Sequence, residues 1–403
     1  MARKRRALIV GGSMSGLLAA LLLERAGWEV EVFERVESEL AGRGAGIVAQ
    51  PDLIVTLARL GIDTNDLGVE ITTRKILDAS GRPVGECACP QVLTAWERVY
   101  RALRDAFPAQ RYHRGRGVRG FEQDQHSVTA QLADGGSVEG ELLVGADGLR
   151  STIRQQCLPE LTPLYAGYVA WRALIPEAAF ASQIHRELFG YMTFCLPPGE
   201  QCLGYPVAGP DNDLRPGHRR YNVVWYRPAE ESGELQRLLT DEGGTTHTIS
   251  IPPPLIARAG IAEMRAAAER LLAPQFRAVV RMIEEPILQP IYDLATSRMA
   301  FGRVAIIGDA AFVARPHVAA GVAKAADDAQ ALTAALAQDE VAAALQQFEA
   351  ARLPVGQRII ERARHLGAYL QATQTTQERA RSQRHGIPQA VLAETAVLDF
   401  LRE

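Results

Sequence analysis

The residues with the clearest chemistry sit in a short turn, Gly11-Gly12-Ser13-Met14-Ser15-Gly16, between an apolar run and a leucine-rich stretch. A turn between a strand and a helix offers free N–H groups and the positive end of the helix dipole to a pyrophosphate. Gly11 permits the tight turn, and Gly16 permits the helix to pack closely on the strand. Ser13 stands where a further glycine is usual, and its small side chain still leaves a phosphate room. Glu34 follows Gly16 by 18 residues, close to the spacing of about 20 expected of an acid that accepts hydrogen bonds from ribose hydroxyls. Arg35 stands beside it. The alternative is a plain glycine turn with a surface glutamate.

Two more stretches end an apolar run in an aspartate beside a glycine: Gly145-Ala146-Asp147-Gly148, with Ser151 and Arg154 following, and Gly308-Asp309, with Pro316 and Gly321 following. An aspartate at a strand's end, next to a residue that lets backbone approach a ligand, can accept a hydrogen bond from a polyol.

These residues need elements to position them. Residues 7–10 read as a buried strand, 15–26 as a helix with Leu17, Leu18, Leu21 and Leu22 at helical spacing, and 29–34 as an alternating strand. Residues 97–107 read as helical. Segments 126–132 and 137–144 read as paired strands around Asp134-Gly135-Gly136. A β-rich region follows, with strands over 165–174, 186–196, 202–207 and 220–226. Residues 261–285 read as helix, 300–307 as a buried strand, and 321 to about 373 as helical. The expected class is α/β (α+β): a Rossmann-type nucleotide domain interleaved with a β-sheet domain, and C-terminal helices. The division is 1–72, 94–160 and 286–335 for the nucleotide domain, 73–93 and 161–285 for the sheet domain, and 336–403 for the helical region. Those last helices either pair two subunits into a homodimer or cover the nucleotide lobe.

A chain of 403 residues exceeds one ordinary core, so intimately joined lobes are expected. Net charge is −3, which asks for neither nucleic acid nor an anionic membrane. No apolar run approaches the roughly 20 residues of a membrane span. The five cysteines have no metal-ligand spacing and fit reduced thiols of the cytoplasm. No metal is expected. Neither a G-x-S-x-G elbow nor an H-E-x-x-H helix is present, so hydrolase and zinc mechanisms have no support.

Taken together, the three motifs resemble those of the class A flavoprotein monooxygenases, with the p-hydroxybenzoate hydroxylase-like fold, over residues 7 to about 335. The resemblance implies FAD as cofactor and NADH or NADPH as co-substrate. It places the first motif and Glu34 on the adenosine diphosphate, Asp147-Gly148 with Arg154 near the pyrophosphates, and Asp309 on the flavin ribitol. Local strings are similar to those of the 2,6-dihydroxypyridine 3-hydroxylases: Gly46-Ile47-Val48-x-Gln50-Pro51, Tyr165-Ala166-Gly167-Tyr168-Val169-x-Trp171-Arg172, Tyr205-Pro206, and Arg315-Pro316-His317-x-Ala319-Ala320-Gly321 with Lys324-Ala325. Tyr-Ala-Gly-Tyr-Val is also similar to urate hydroxylases. The arginine that many members carry at the start of the helix near 96–103 is matched here by Trp96, with Arg98 two residues on.

The implied reaction hydroxylates a small, electron-rich N-heteroaromatic ring of hydroxypyridine type. NAD(P)H reduces the flavin, dioxygen adds to give a C4a-hydroperoxide, and the ring's oxyanion attacks the terminal oxygen. His317 is the candidate base or orienting group, because an imidazole titrates near neutrality; the alternative is a packed or capping histidine. Tyr205 is a candidate for the substrate cavity or for the core. Arg43, in the glycine-flanked loop 42–46, is placed by the resemblance near the isoalloxazine; the alternative is a surface arginine. Arg172 is a weaker candidate, since a β-sheet arginine is more often solvated or ion-paired. The competing functions are a hydroxybenzoate- or salicylate-type hydroxylase, a flavin reductase on this fold, and a non-catalytic flavin binder.

Overall fold

The structure, a computed structural model, describes residues 5–40 and 46–402. Arg43 lies outside the described residues.

Strand Arg6–Val10, helix Met14–Arg25 and strand Glu29–Glu34 form the expected N-terminal β-α-β unit. Ala7, Leu8 and Ile9 are fully buried, as a central parallel strand covered on both faces requires. This strand is flanked in parallel by Glu29–Glu34 and by Leu142–Gly145. The six-stranded sheet runs Ala300–Phe301, Val304–Ile306, Leu142–Gly145, Arg6–Val10, Glu29–Glu34, Tyr112–Arg114. The pyrophosphate turn, Asp147 and the Gly308 turn therefore all leave the carboxyl ends of adjacent parallel strands, where open α/β sheets bind ligands.

A nine-stranded sheet forms the second lobe: Phe312–Val313, Ile287–Ala295, Leu164–Pro176, Arg220–Pro228, Gln201–Val207, Tyr191–Cys195, Val69–Leu77, Pro83–Ala95 and Gly46–Ala49, in that order. Side chains of Leu164–Pro176 alternate between two cores. Val169, Trp171, Ala173 and Ile175 join Met264, Ala267 and Phe276 of two covering helices. Tyr168 and Ala170 face the other way, joining Tyr205, Tyr226, Leu370 and Leu392. This second face looks toward the candidate site. Strands Gly46–Ala49 and Ile287–Ala295 pair in this sheet, so the lobes interleave more finely than the sequence division has it.

Four expected elements differ. The segment 137–144 is two strands, Ser137–Gly140 in a three-stranded sheet and Leu142–Gly145 in the six-stranded one. Residues 186–196 are not one strand: helix Ser182–Leu188 precedes strand Tyr191–Cys195, and apolar content alone does not separate the two periods. The helix over 261–285 is broken into Arg258–Leu271 and Pro274–Arg281, because a proline opens a helix but does not continue one. The strand over 300–307 bends at Gly302, whose φ is +66°. Helices Gly321–Leu336 and Val341–Gly367 follow as expected. The first packs on Met14–Arg25, and the second packs on the first. No described helix is long and apolar enough to cross a membrane.

Candidate active site

At the first motif, Gly11 has φ +106°, a conformation that disfavours a side chain. A side chain at Gly16 would sit on the Gly11 carbonyl oxygen, so the turn closes only around glycine. Ser13 precedes helix Met14–Arg25 without its side chain capping it, and the first turn carries no acidic residue. The leading N–H groups are thus left for an anion. Glu34 is buried. Its Oε2 accepts from the Gly12 N–H at 2.8 Å and its Oε1 from the Val36 N–H at 2.9 Å. The carboxylate fixes the turn and keeps lone pairs for hydroxyl donors. Met14 is buried and Arg35 exposed.

At the second motif, Asp147 accepts from the Ser151 hydroxyl and, at 2.7 Å, from the Thr152 N–H. Burial holds its carboxyl above the usual range against these donors. Arg154 is fully buried. It donates to Leu149 O at 2.6 Å and to Ala310 O at 3.1 Å. Its charge is spent tying the Asp147 loop to the Gly308 turn, so it acts on the site through those loops.

Gly308, at φ +59°, approaches Ser15 so closely that a side chain would collide with the hydroxyl. First and third motifs therefore touch. The Gly308 N–H donates to Asp328 Oδ2 at 3.0 Å. Asp309 points outward, its side chain 55% exposed, and Lys324 Nζ lies 3.7 Å from its Oδ1. Lys324 is 1% exposed and its ammonium has no hydrogen-bond partner. A buried cation facing an accessible carboxylate and an uncapped helix end fits an anionic, polyol-bearing cofactor such as FAD.

The segment after Asp309 enters the second lobe. His317 is 3% exposed. Its Nε2 lies 2.9 Å from the Tyr168 hydroxyl, and its ring lies 4.4 Å from that of Tyr226. Burial and then the nearby Arg315 guanidinium push its pKa down to about 3. The expectation of titration near neutrality is therefore corrected: this imidazole stays neutral, because a second positive charge has no compensation there. Arg315 is held by Asp293, with Nη2 2.8 Å from Oδ2, and Asp293 also takes Arg364 at 3.2 Å.

Tyr205 lies on the same face and is buried, its phenol pushed up to about 12 by burial, with Arg172 opposing. Asn222, paired opposite Tyr205, accepts from the Gly46 N–H at 3.0 Å through Oδ1, while its buried Nδ2 has no partner. Pro316 starts the short turn carrying His317, and Gly321 starts the next helix.

Sequence reading gave no site role to Tyr226, Asn222, Arg315 or the C-terminal segment. Alternation along the strands 165–172 and 220–226 would have placed Tyr168, Arg172 and Tyr226 on one face. Nothing in the sequence marks Ala396, which has φ +56°. Its N–H donates to His317 O at 2.7 Å, and its carbonyl accepts from Gln91 Nε2 at 3.1 Å.

Comparison with known proteins places this geometry among flavoenzymes. An FAD binding domain family model matches residues 4–174 and 263–363, and an FAD binding domain-like model matches 165–293. The chain is 33% identical to 2,6-dihydroxypyridine 3-monooxygenase of Paenarthrobacter nicotinovorans over 91% of both chains. The solved 2,6-dihydroxypyridine-3-hydroxylase of Arthrobacter nicotinovorans superposes with a TM-score of 0.87 at 32% identity, covering 93% of this chain and 94% of that one. Klebsiella pneumoniae HpxO complexed with FAD and uric acid shares the fold, with a TM-score of 0.75 at 23% identity, covering 97% of both chains.

Proposed function

This chain belongs to the FAD-binding family of class A flavin monooxygenases, and from that premise we propose that it hydroxylates a small hydroxypyridine-type ring with NAD(P)H and dioxygen. It is an FAD-dependent aromatic monooxygenase. One observation carries the assignment of parts: a single segment, 308–321, runs from the Asp309 carboxylate to His317, and so joins the nucleotide site to the aromatic face.

Bound FAD supplies the electron transfer from NAD(P)H and the activation of dioxygen. The chain's residues supply binding and position. The Gly11–Gly16 turn and the helix behind it would hold the pyrophosphate, Glu34 the adenosine ribose, and Asp309 with Lys324 the ribitol end. Asp147 and Gly148, braced by Arg154, shape the adjoining wall. Tyr168 fixes His317 Nε2, which leaves Nδ1 to meet the ring's hydroxyl or lactam N–H. Held neutral by burial, His317 orients the ring through a hydrogen bond rather than taking its proton. Tyr205 and Tyr226 wall the ring and exclude water. The five free cysteines support a cytoplasmic location.

The test is NAD(P)H oxidation by the yellow protein, with oxygen uptake and product mass, across hydroxypyridines, urate and hydroxybenzoates. A hydroxypyridine product heavier by one oxygen supports the reading. Products only from hydroxybenzoates would change the ring class, and flavin reduction without any oxygenated product would make the chain a reductase.

A further inference from the structure

Helix Gly321–Leu336 buries two charged residues one turn apart, Lys324 at 1% exposed and Asp328 at 2%. Lys324 faces Asp309. Asp328 faces the residue before it. Strand Val304–Ile306 pairs with Leu142–Gly145, and the pairing closes with the Ile307 N–H donating to Gly145 O at 2.9 Å. The next N–H along the chain, that of Gly308, has left the sheet, and Asp328 Oδ2 accepts it at 3.0 Å. A buried N–H without an acceptor is costly. The carboxylate takes over where the ladder ends.

The other oxygen of Asp328 is held from behind. Arg352, on helix Val341–Gly367, donates from Nε to Asp328 Oδ1 at 2.8 Å. The Arg352 side chain is 11% exposed. Its Nη2 has no hydrogen-bond partner and lies 4.0 Å from Asp327 Oδ2, so Asp328 is the nearer counter-ion. Two helices thus hold one carboxylate, and that carboxylate holds one peptide plane. Gly308 then turns at φ +59°, and the Ala311 N–H closes the turn on Gly308 O at 3.1 Å. The orientation of the Gly308 N–H sets the direction in which Asp309 leaves the turn. Apolar packing would hold the two helices together as well as the ion pair does, but it would not aim a peptide.

We propose that Asp328 is a positioning residue for the cofactor, acting through the Gly308 turn that carries Asp309, with Arg352 holding its carboxylate in place. The turn is then set before FAD arrives, and binding does not have to order it. This rests on the reading of Asp309 as a residue of the ribitol end and deepens it.

The experiment measures FAD binding to the full-length apoprotein by quenching of FAD fluorescence. Two double variants share Arg352→Met, so neither leaves a buried guanidinium unpaired. One adds Asp328→Asn, which keeps an oxygen for the Gly308 N–H. The other adds Asp328→Leu, of similar size, which does not. Both are expected to keep the far-ultraviolet signature of the fold. The Asn variant is expected to bind FAD with close to wild-type affinity, and the Leu variant roughly ten- to a hundred-fold more weakly, with an altered visible circular dichroism of the bound flavin. Equal affinity in the two variants overturns the proposal, because a role confined to helix packing does not distinguish them. If the Leu variant does not fold, the wild-type apoprotein decides. Its Gly308 amide is expected to exchange slowly with deuterium before FAD is added, and an amide that becomes slow only with FAD overturns the proposal. Asp309→Asn is measured in parallel. Unchanged affinity there, with loss in the Leu variant, defeats the ribitol reading of Asp309 and leaves Asp328 acting through the Gly308 turn. Loss in Asp309→Asn, with none in the Leu variant, defeats the role of Asp328 alone.

Discussion

The Tyr168 hydroxyl and His317 Nε2 lie 2.9 Å apart inside the protein, Tyr168 on a sheet strand and His317 on the loop that continues from Asp309. The contact ties the sheet lobe to the segment that carries Asp309. It also pairs two groups that both stay uncharged: burial drives the phenol well above its ordinary range and the imidazole down to about 3.

The burial of His317, with Arg315 nearby, fixes a pH dependence. An unfolded chain protonates His317 below its ordinary 6.5, while the folded chain resists until about 3. The unfolded state therefore binds more protons in this window, and stability falls as pH falls through it, by at most about 1.4 kcal/mol per pH unit. Chemical unfolding at several pH values checks this. In His317→Asn the acid sensitivity between these limits is expected to shrink, and an unchanged slope would assign it elsewhere.

Lys324 is expected to contribute to FAD retention. Among the described residues its buried ammonium has Asp309 as its one ion-pair neighbour, at 3.7 Å. Replacing it by Met keeps the stem and removes the charge. FAD affinity, read from the fluorescence of released cofactor, is expected to drop roughly ten-fold, with secondary structure intact. Undiminished affinity would restrict Lys324 to a packing role.

Gly308→Ala tests the contact between motifs. The position has φ +59°, and the added methyl would meet Ser15. The strain is expected to cost about 1–3 kcal/mol, and the displaced turn carries Asp309 with it. A fall in melting temperature together with loss of yellow colour is the expected pair of results. Loss of stability with FAD fully retained would separate Gly308 from the cofactor site.

Arg74 anchors the C-terminal segment. It is fully buried and donates through Nη1 to Leu392 O at 2.8 Å and to Thr395 O at 2.6 Å. Arg74→Met strands these carbonyls, at about 1–3 kcal/mol for each. The segment carries Ala396, whose N–H holds the His317 carbonyl. The variant is expected to be cleaved near its C-terminus by trace protease and to waste NAD(P)H without product. Full coupling of NAD(P)H to product would show that the segment does not position His317.

Much of the nucleotide site was legible because it is local. Gly11 to Gly16, Glu34 and the strands around them lie within one β-α-β unit, where turn chemistry and apolar period suffice. Asp147 and Asp309 were visible for the same reason, each at the end of a short apolar run. The aromatic face was harder. Tyr205 and His317 were singled out, but Tyr226 and Asn222 look like any strand residues until register pairs them with Ala170 and Tyr205. Helix and strand were confused at 186–196, where the apolar spacing serves both.

The sequence by itself determined that this chain folds around a dinucleotide, with two further acidic turns at strand ends, because backbone conformation there depends on which residue is glycine. Only the tertiary structure decided the charge states. Whether His317 titrates near neutrality or is held neutral depends on Arg315 and on burial. Whether Arg172 meets a carboxylate or, as here, the neutral Gln289 and the Gly46 carbonyl depends on which strands flank it. Those are properties of what long-range packing brings close, and Coulomb energy and desolvation follow distance in space rather than distance along the chain.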